Sequence, residues 1–308
     1  MPATRSPAKP PSKGVVSIEG HELIITNPDK PMYPQMGITK LMYLQKLIEL
    51  APYLLKYTAN RYLTTIRYPH GAGDEKFFYQ KNAPEPLPPF VRTAAYQGIN
   101  YVVLDSVATL VWLGNLACLE FHPSLHYIGE EHPAEWLIDI DPSREEEPRI
   151  MEAAALAGDA LKRIGISSIA KTSGATGVQL YIPIPKNRYT FLQLRSVGHF
   201  IGKYLTETHP SLFTIERLKK HRGELIYVDY LQHWQGKTLS APYTPRARPY
   251  ATLSTPLKWS EVAANCSPRD FNLLTIGARL EQMGDLIDQV PPQSLEPVLQ
   301  FLGSASVR

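Results

Sequence analysis

Asp139 and Asp141 stand two residues apart in the largely apolar run EWLIDID. In a strand, side chains alternate between faces, so both carboxylates share one face while Ile138 and Ile140 take the other. Two carboxylates side by side on a largely apolar strand repel each other and lose hydration. A hard divalent cation such as Mg2+ or Mn2+ relieves both problems and keeps coordination positions open for phosphate. Asp229, in LIYVDYLQH, is another acid inside an apolar strand, with Leu225 and Tyr227 on its face. Three strand-borne aspartates can serve a two-metal phosphoryl-transfer site, in which one ion activates an attacking hydroxyl and both stabilise the in-line transition state. Taken one at a time, such acids are also often solvated or paired with Lys or Arg, and that reading stays open.

The segment Lys171-Thr-Ser-Gly-Ala-Thr-Gly177 lies between two apolar runs. Its small residues let backbone N–H groups approach phosphate oxygens, and Ser173 adds a donor. The Walker A spacing GxxxxGK[ST] is absent, and a hairpin turn with glycines at positive φ explains the loop equally well.

These residues need elements to hold them. HELIIT reads as a strand and NPDKPMYPQMG as a turn-rich loop. From Thr39, Leu41, Leu44, Leu47, Ile48, Ala51 and Leu54 recur at helical spacing. LTTIRYP, KFFYQK and INYVVLD read as strands, and an apolar helix is expected from Ser106 to about Phe121. WLIDID is a strand, and a helix is expected from Arg144 to Ile164, with acids in its first turn and a Lys–Arg pair before Gly165. SSIAKTSG and VQLYIPIP are strands, residues 190–207 a helix, ELIYVDYLQH a strand, and two helices close the chain. Strands and helices mix without regular alternation, which predicts an α+β fold.

The whole chain has 308 residues, 44% hydrophobic and 20% charged, an ordinary globular balance. A net charge of +3 permits a nucleic-acid partner without demanding one. Cys118 and Cys266 are far apart, so there is no metal-finger spacing and at most one disulfide; a reducing cytoplasm is expected. No run of 18 apolar residues suggests a membrane span, and no apolar signal-peptide core is present. Residues 1–14 are Pro/Ser/Lys-rich and read as a disordered basic tail, with residues 15–308 as one unit.

Eight collinear blocks resemble the polymerase domain of bacterial ligase D, of the archaeo-eukaryotic primase superfamily. They are TNPDKPMYPQMGITK, RYLTTIRYP, FFYQKNAP, LVWLGNLACLEFH, WLIDIDP, KTSGATGVQLYIPIP, LIYVDYLQH and GKTLSAPYTPRARP. The resemblance covers about residues 20–285 and implies a primase-type fold: an RRM-like catalytic sheet joined to a second α/β lobe, the two intertwined in a single domain. With no KxDG adenylation motif, the chain is expected to be a stand-alone polymerase or an excised domain. The resemblance places Asp139, Asp141 and Asp229 on the family's metal-binding aspartates, for two ions, Mn2+ or Mg2+. His122, Ser173, Gln179, Gln232, Lys237 and Arg246 fall on its nucleotide site. Asn27, Lys30 and Lys40 fall on its pocket for the 5′-phosphate across a gap, and Arg67, Phe77 and Phe78 on its DNA-contacting surface. From the residues alone, His122 reads as a core histidine at a helix end. The two lysines read as surface charges, and the phenylalanines as one core and one exposed ring.

Two departures from the family pattern stand out. Thr176 replaces a common Lys, removing a cation from the loop. Gln179 replaces a common His, and Gln cannot exchange protons in the range of His. The resemblance implies template-directed addition of nucleoside triphosphates, with ribonucleotides preferred, to 3′ ends at gaps and double-strand breaks, in non-homologous end joining beside Ku and a ligase. It also implies a cytoplasmic, nucleoid-associated enzyme without a membrane partner. The rival readings are a primase that starts chains without a primer and a non-catalytic module that bridges DNA ends.

Overall fold

The computed structural model describes residues 13–305, with side chains to 303. Positions 1–12 of the expected tail lie outside the described residues, and β1 (Lys13–Ile18) starts inside its last two positions. β1 forms a hairpin with β2 (His21–Thr26). The short strands β3 (Pro31–Tyr33) and β4 (Ile38–Thr39) then lead into α1 (Lys40–Thr58). Thr39 caps α1, its hydroxyl accepting the Met42 N–H. Leu44, Leu47, Ala51 and Leu54 form the buried stripe, whereas Leu41 and Ile48 are exposed on the opposite side.

The first lobe is built on β5 (Arg61–Arg67), β6 (Phe78–Gln80), β7 (Thr93–Tyr96), β8 (Ile99–Val102) and β9 (Cys118–Tyr127). The order is β6-β5-β8-β7, with β9 also pairing to β5. α2 (Val107–Asn115) precedes β9 and ends six residues before the expected Phe121. Ala117 turns to φ 65°, and the following residues pair along β5, with Thr64 opposite His122. His122 therefore sits on a strand and not at a helix end. The cause is a long-range pairing that an almost wholly apolar run cannot reveal by periodicity.

The second lobe carries β10 (Glu135–Asp141), α3 (Ile150–Arg163), β11 (Ile169–Thr172), β12 (Val178–Pro183), α4 (Phe191–Thr208), β13 (Phe213–Thr214), β14 (Ile226–Asp229) and β15 (Pro256–Leu257). Its sheet runs β13-β14-β10-β12-β11-β15. At its centre, β10-α3-β11-β12-α4-β14 is a βαββαβ unit, the RRM-like arrangement the resemblance implied. α3 starts at Ile150, six residues later than expected. Pro148 and a loop ion pair hold the preceding turn open: the Glu147 carboxylate accepts from the Arg149 backbone and guanidinium. α5 (Trp259–Ala263), α6 (Ile276–Met283) and α7 (Glu296–Ala305) follow, one helix more than expected.

Trp136, Ile138, Ile140, Val178, Leu180 and Ile182 turn one face of this sheet onto a core shared with residues of α3 and α4. Leu137, Ile169 and Tyr181 point the other way, into the core of the first lobe. Asp139 and Gln179 share that second face by strand alternation, so the acids stand where the two lobes meet.

Candidate active site

Strand register assembles the site. Asp139 on β10 lies opposite Asp229 on β14 on one side and opposite Gln179 on β12 on the other. Gln179 in turn lies opposite Lys171 on β11. One row across four strands thus reads Lys171, Gln179, Asp139, Asp229, and opposed side chains in adjacent strands stand about 5 Å apart at Cβ.

Each member of the row is electrostatically strained or tied. Burial pushes the Asp139 carboxyl up to about 7, with Asp141 and Asp229 adding to the effect against the Gln179 hydrogen bond and Lys171. Burial raises Asp141 as well, opposed by Arg222, whose Nη1 lies 3.2 Å from Asp141 Oδ2. The Arg222 guanidinium stacks 3.8 Å above the Tyr227 ring. Asp229 Oδ1 accepts from the Tyr227 hydroxyl and from the backbone of Leu231 and Gln232, which ends the strand in a turn. Lys171 is fully buried without a carboxylate partner among the described residues; its ammonium donates to Gln179 Oε1, Ser254 Oγ and the Ser240 carbonyl. Burial brings it down to about 7.

The donor set suits a hard divalent cation. Asp139 carries a charge that burial and two neighbouring carboxylates oppose, the condition a bound cation relieves. Among the described residues, no three acidic, histidine or cysteine side chains close around a common point as they stand. Asp141 is drawn to Arg222, and Asp229 Oδ1 is committed to three donors.

The loop between β11 and β12 is closed as a hairpin: the Ser173 N–H donates to Gly177 O, and Ser173 Oγ accepts from Ala175 and Gly177. Those two amides are turned inward, leaving the hydroxyl proton of Ser173 as the donor available to a ligand. Arg246 anchors the loop, with Nη1 2.5 Å from Ser173 O. Its Nε lies 2.8 Å from Glu120 Oε2, and the same oxygen lies 2.9 Å from His122 Nε2. Gln232 Nε2 donates to Thr238 O, and Lys237 projects from the adjoining turn, its ammonium unpaired among the described residues. A cleft of about 720 Å³ opens beside this loop at Ala175 and Thr176 but contains none of the three aspartates.

A second cluster forms where β2, α1 and the end of α2 meet. Lys40 is 3% exposed, with Nζ 2.9 Å from Asn115 O and within reach of Thr26 Oγ1. Burial and the neighbouring Lys30 lower its pKa to about 8. Lys30 donates to Pro69 O, its backbone N–H to Asn27 O, and Asn27 is exposed at φ 51°. Lys40 is thus not an ordinary surface charge: its ammonium is buried within the field of Lys30, and neither lysine has an acidic partner among the described residues. Phe77 and Phe78 are both exposed, at 45% and 43%, which excludes a core role for either. Phe77 stacks on Tyr68, and the Arg67 guanidinium lies 5.1 Å above the Phe78 ring while bonding Leu116 O and Gln80.

Sequence reasoning missed Glu120, Lys171, Asn115 and Arg222. For Glu120 a signal existed: it precedes His122 by two in an apolar strand, hence on the same face. Lys171 likewise interrupts an apolar strand. Asn115 and Arg222 carry no local signal, because their partners are 75 and 81 residues away.

A family model described as "LigD, primase-polymerase domain" matches residues 39–287. The chain is 39% identical over 264 residues to the bifunctional non-homologous end joining protein LigD of Bacillus subtilis, covering 85% of this chain and 43% of that protein. It is 28% identical over 292 residues to the multifunctional non-homologous end joining DNA repair protein LigD of Mycobacterium tuberculosis, covering 89% of this chain and 38% of that protein. The chain therefore spans less than half the length of these relatives. The polymerase domain from Mycobacterium tuberculosis ligase D in complex with DNA superposes with a TM-score of 0.78 at 27% identity, covering 86% of this chain and 96% of that one.

Proposed function

The chain belongs to the LigD primase-polymerase domain family, and from that premise we propose that it is a nucleotidyltransferase that extends 3′ ends and fills gaps at DNA double-strand breaks. The observation that carries this reading is the row Gln179–Asp139–Asp229, which holds a charge-strained carboxylate directly opposite a second one, with Asp141 beside them. Held by Asp139, Asp141 and Asp229, two divalent cations, Mn2+ or Mg2+, would supply an activated 3′-hydroxyl and charge stabilisation for the transferred phosphoryl group.

The chain's own residues do the rest. Arg246 and Lys237 bring fixed positive charge to the triphosphate, Ser173 offers its hydroxyl proton, and His122 lines the same pocket. Gln179 holds Asp139 in place and exchanges no proton in the working range, so it acts by hydrogen bonding alone. Gln232 braces the Asp229 turn next to the nucleotide. The ammoniums of Lys30 and Lys40, with Asn27, receive the 5′-phosphate at the far side of the gap. Phe77, Phe78 and Arg67 give the DNA a stacking and cationic surface. No helix among the described residues is long and apolar enough to cross a membrane. The wider reading is a single domain of two intertwined lobes that prefers ribonucleotides. It works beside Ku and a ligase at the bacterial nucleoid.

The test is incubation of the protein with a gapped duplex bearing a downstream 5′-phosphate, Mn2+ and each nucleotide in turn. Incorporation directed by the template base, stronger for ribonucleotides, is expected. Incorporation that ignores the template base would defeat the polymerase reading, and synthesis on single strands without a primer would reassign the chain as a primase.

A further inference from the structure

Glu120 is 4% exposed, inside the first lobe's edge of the site, and belongs to none of the groups assigned above. Its Oε2 receives Arg246 Nε and His122 Nε2 at 2.8 and 2.9 Å, and its Oε1 receives the Ala247 N–H at 3.0 Å. Burial works to raise its pKa, yet the bond from His122 and the Arg246 charge bring it down to about 2. It is therefore an ionised carboxylate in any working buffer, and an ionised carboxylate only accepts. His122 Nε2 must carry a proton, which leaves Nδ1 as the nitrogen open to a ligand. Arg246 has Nε on Glu120 and Nη1 on Ser173 O, which leaves Nη2 open among the described residues.

We propose that Glu120 is a positioning residue of the nucleotide site, clamping Arg246 and His122 together so that Arg246 Nη2 is left to donate to the incoming triphosphate and His122 Nδ1 to accept from a hydroxyl of the nucleotide. The inference rests on the nucleotide site proposed above. One buried carboxylate thereby fixes the rotamer of the pocket's arginine, the tautomer of its histidine and, through Ala247, the backbone that carries the arginine. Without it, the guanidinium keeps only its bond to Ser173 O and gains freedom that must be lost again when nucleotide binds. A glutamine cannot replace it. Gln has one acceptor oxygen and one NH2 group, so whichever way the amide turns, NH2 faces either the Arg246–His122 pair or the Ala247 N–H.

The experiment compares Glu120→Ala, Glu120→Gln, Arg246→Ala and the double variant Glu120→Ala/Arg246→Ala. For each, the Kd for ATP in Mn2+ and the Kd for gapped DNA are measured, with Tm as a folding control. Loss of one charge-assisted hydrogen bond predicts about a tenfold weaker ATP Kd for Glu120→Ala. Glu120→Gln should fall between this and the wild type. Glu120→Ala should add less than about twofold to Arg246→Ala, because the two residues act as one unit. DNA affinity should hold, a split that a merely loosened fold would not give. In the wild-type protein, 15N spectra of His122 should show the proton on Nε2.

Unchanged ATP affinity in Arg246→Ala would sink the nucleotide-site reading itself. If Arg246→Ala weakens ATP while the Glu120 variants do not, or if the two losses multiply, the positioning role is wrong. If the Glu120 variants do not fold, the wild-type spectra decide, and an Nε2 without a proton overturns the proposal.

Discussion

Gly174→Ala should damage the phosphate loop from the inside. Gly174 sits at φ 70°, and a Cβ built there would lie 2.5 Å from Arg246 Cγ, 2.7 Å from Leu253 C and 2.8 Å from Ser254 N. Two of those obstacles are backbone, and the third belongs to an arginine pinned at Nε and Nη1. The left-handed conformation costs a Cβ-bearing residue about 1–2 kcal/mol, and overpacking adds about 1–3 kcal/mol. The expected destabilisation is about 2–5 kcal/mol, with the loop displaced from Arg246 and the apparent KM for nucleotide raised. Gly165→Ala is the control: φ is 79° but nothing lies within 4 Å, so only the conformational cost, about 1–2 kcal/mol, applies. Urea unfolding of both variants, read beside the nucleotide dependence of extension, makes the comparison. If Gly174→Ala loses no more stability than Gly165→Ala and keeps the wild-type nucleotide dependence, then the close approach of loop and arginine does not build the site.

Arg246→Ala should raise the nucleotide concentration needed for half-maximal extension by about tenfold or more, the loss of one charge-assisted contact, and an unchanged dependence would remove Arg246 from the pocket. The wild-type protein should bind a gapped duplex with a 5′-phosphate about tenfold more tightly than one without, about 1.4 kcal/mol. Lys30→Ala combined with Lys40→Ala should erase that preference and spare a simple primer–template; equal affinity of the wild type for both duplexes would refute the pocket. The same preference should depend on pH. The Lys40 ammonium sits near 8 in the free protein and only the protonated form attracts phosphate, so the preference should be full below about 8 and fade as pH rises through it. A preference flat from pH 7 to 10 would show that Lys40 is not a phosphate ligand.

Much of the site was legible in the sequence because strand alternation is local. Asp139 and Asp141 could be placed on one face, with Ile138 and Ile140 opposite, from spacing alone, and Tyr227 beside Asp229 followed from the same rule. Register between strands is not local. Spacing does not say that Asp139 meets Asp229, which only the family resemblance implied, or that Lys171 and Gln179 complete the row. The helix expected to reach Phe121 failed for the same reason: Cys118–Tyr127 is largely buried on both faces and pairs with β5 from more than fifty residues earlier. Lys40 looked like a surface charge because burial of an ammonium against Asn115 O needs a helix end from elsewhere in the chain. The spacing put Glu120 on the face of His122, but its other partners, Arg246 and Ala247, lie more than 120 residues away and gave no local sign.

The central claim is that Asp139, Asp141 and Asp229 serve chemistry and not attachment to DNA. The direct measurement is single-nucleotide extension on a gapped duplex in Mn2+ by the wild type, Asp139→Ala and Asp141→Ala, with the DNA Kd of each at fixed salt. Extension should vanish in both variants while the DNA Kd stays within about twofold, because removing a negative charge does not weaken attraction to phosphate. Near wild-type extension by both variants would contradict the account, as would a loss of extension that merely follows a loss of DNA binding.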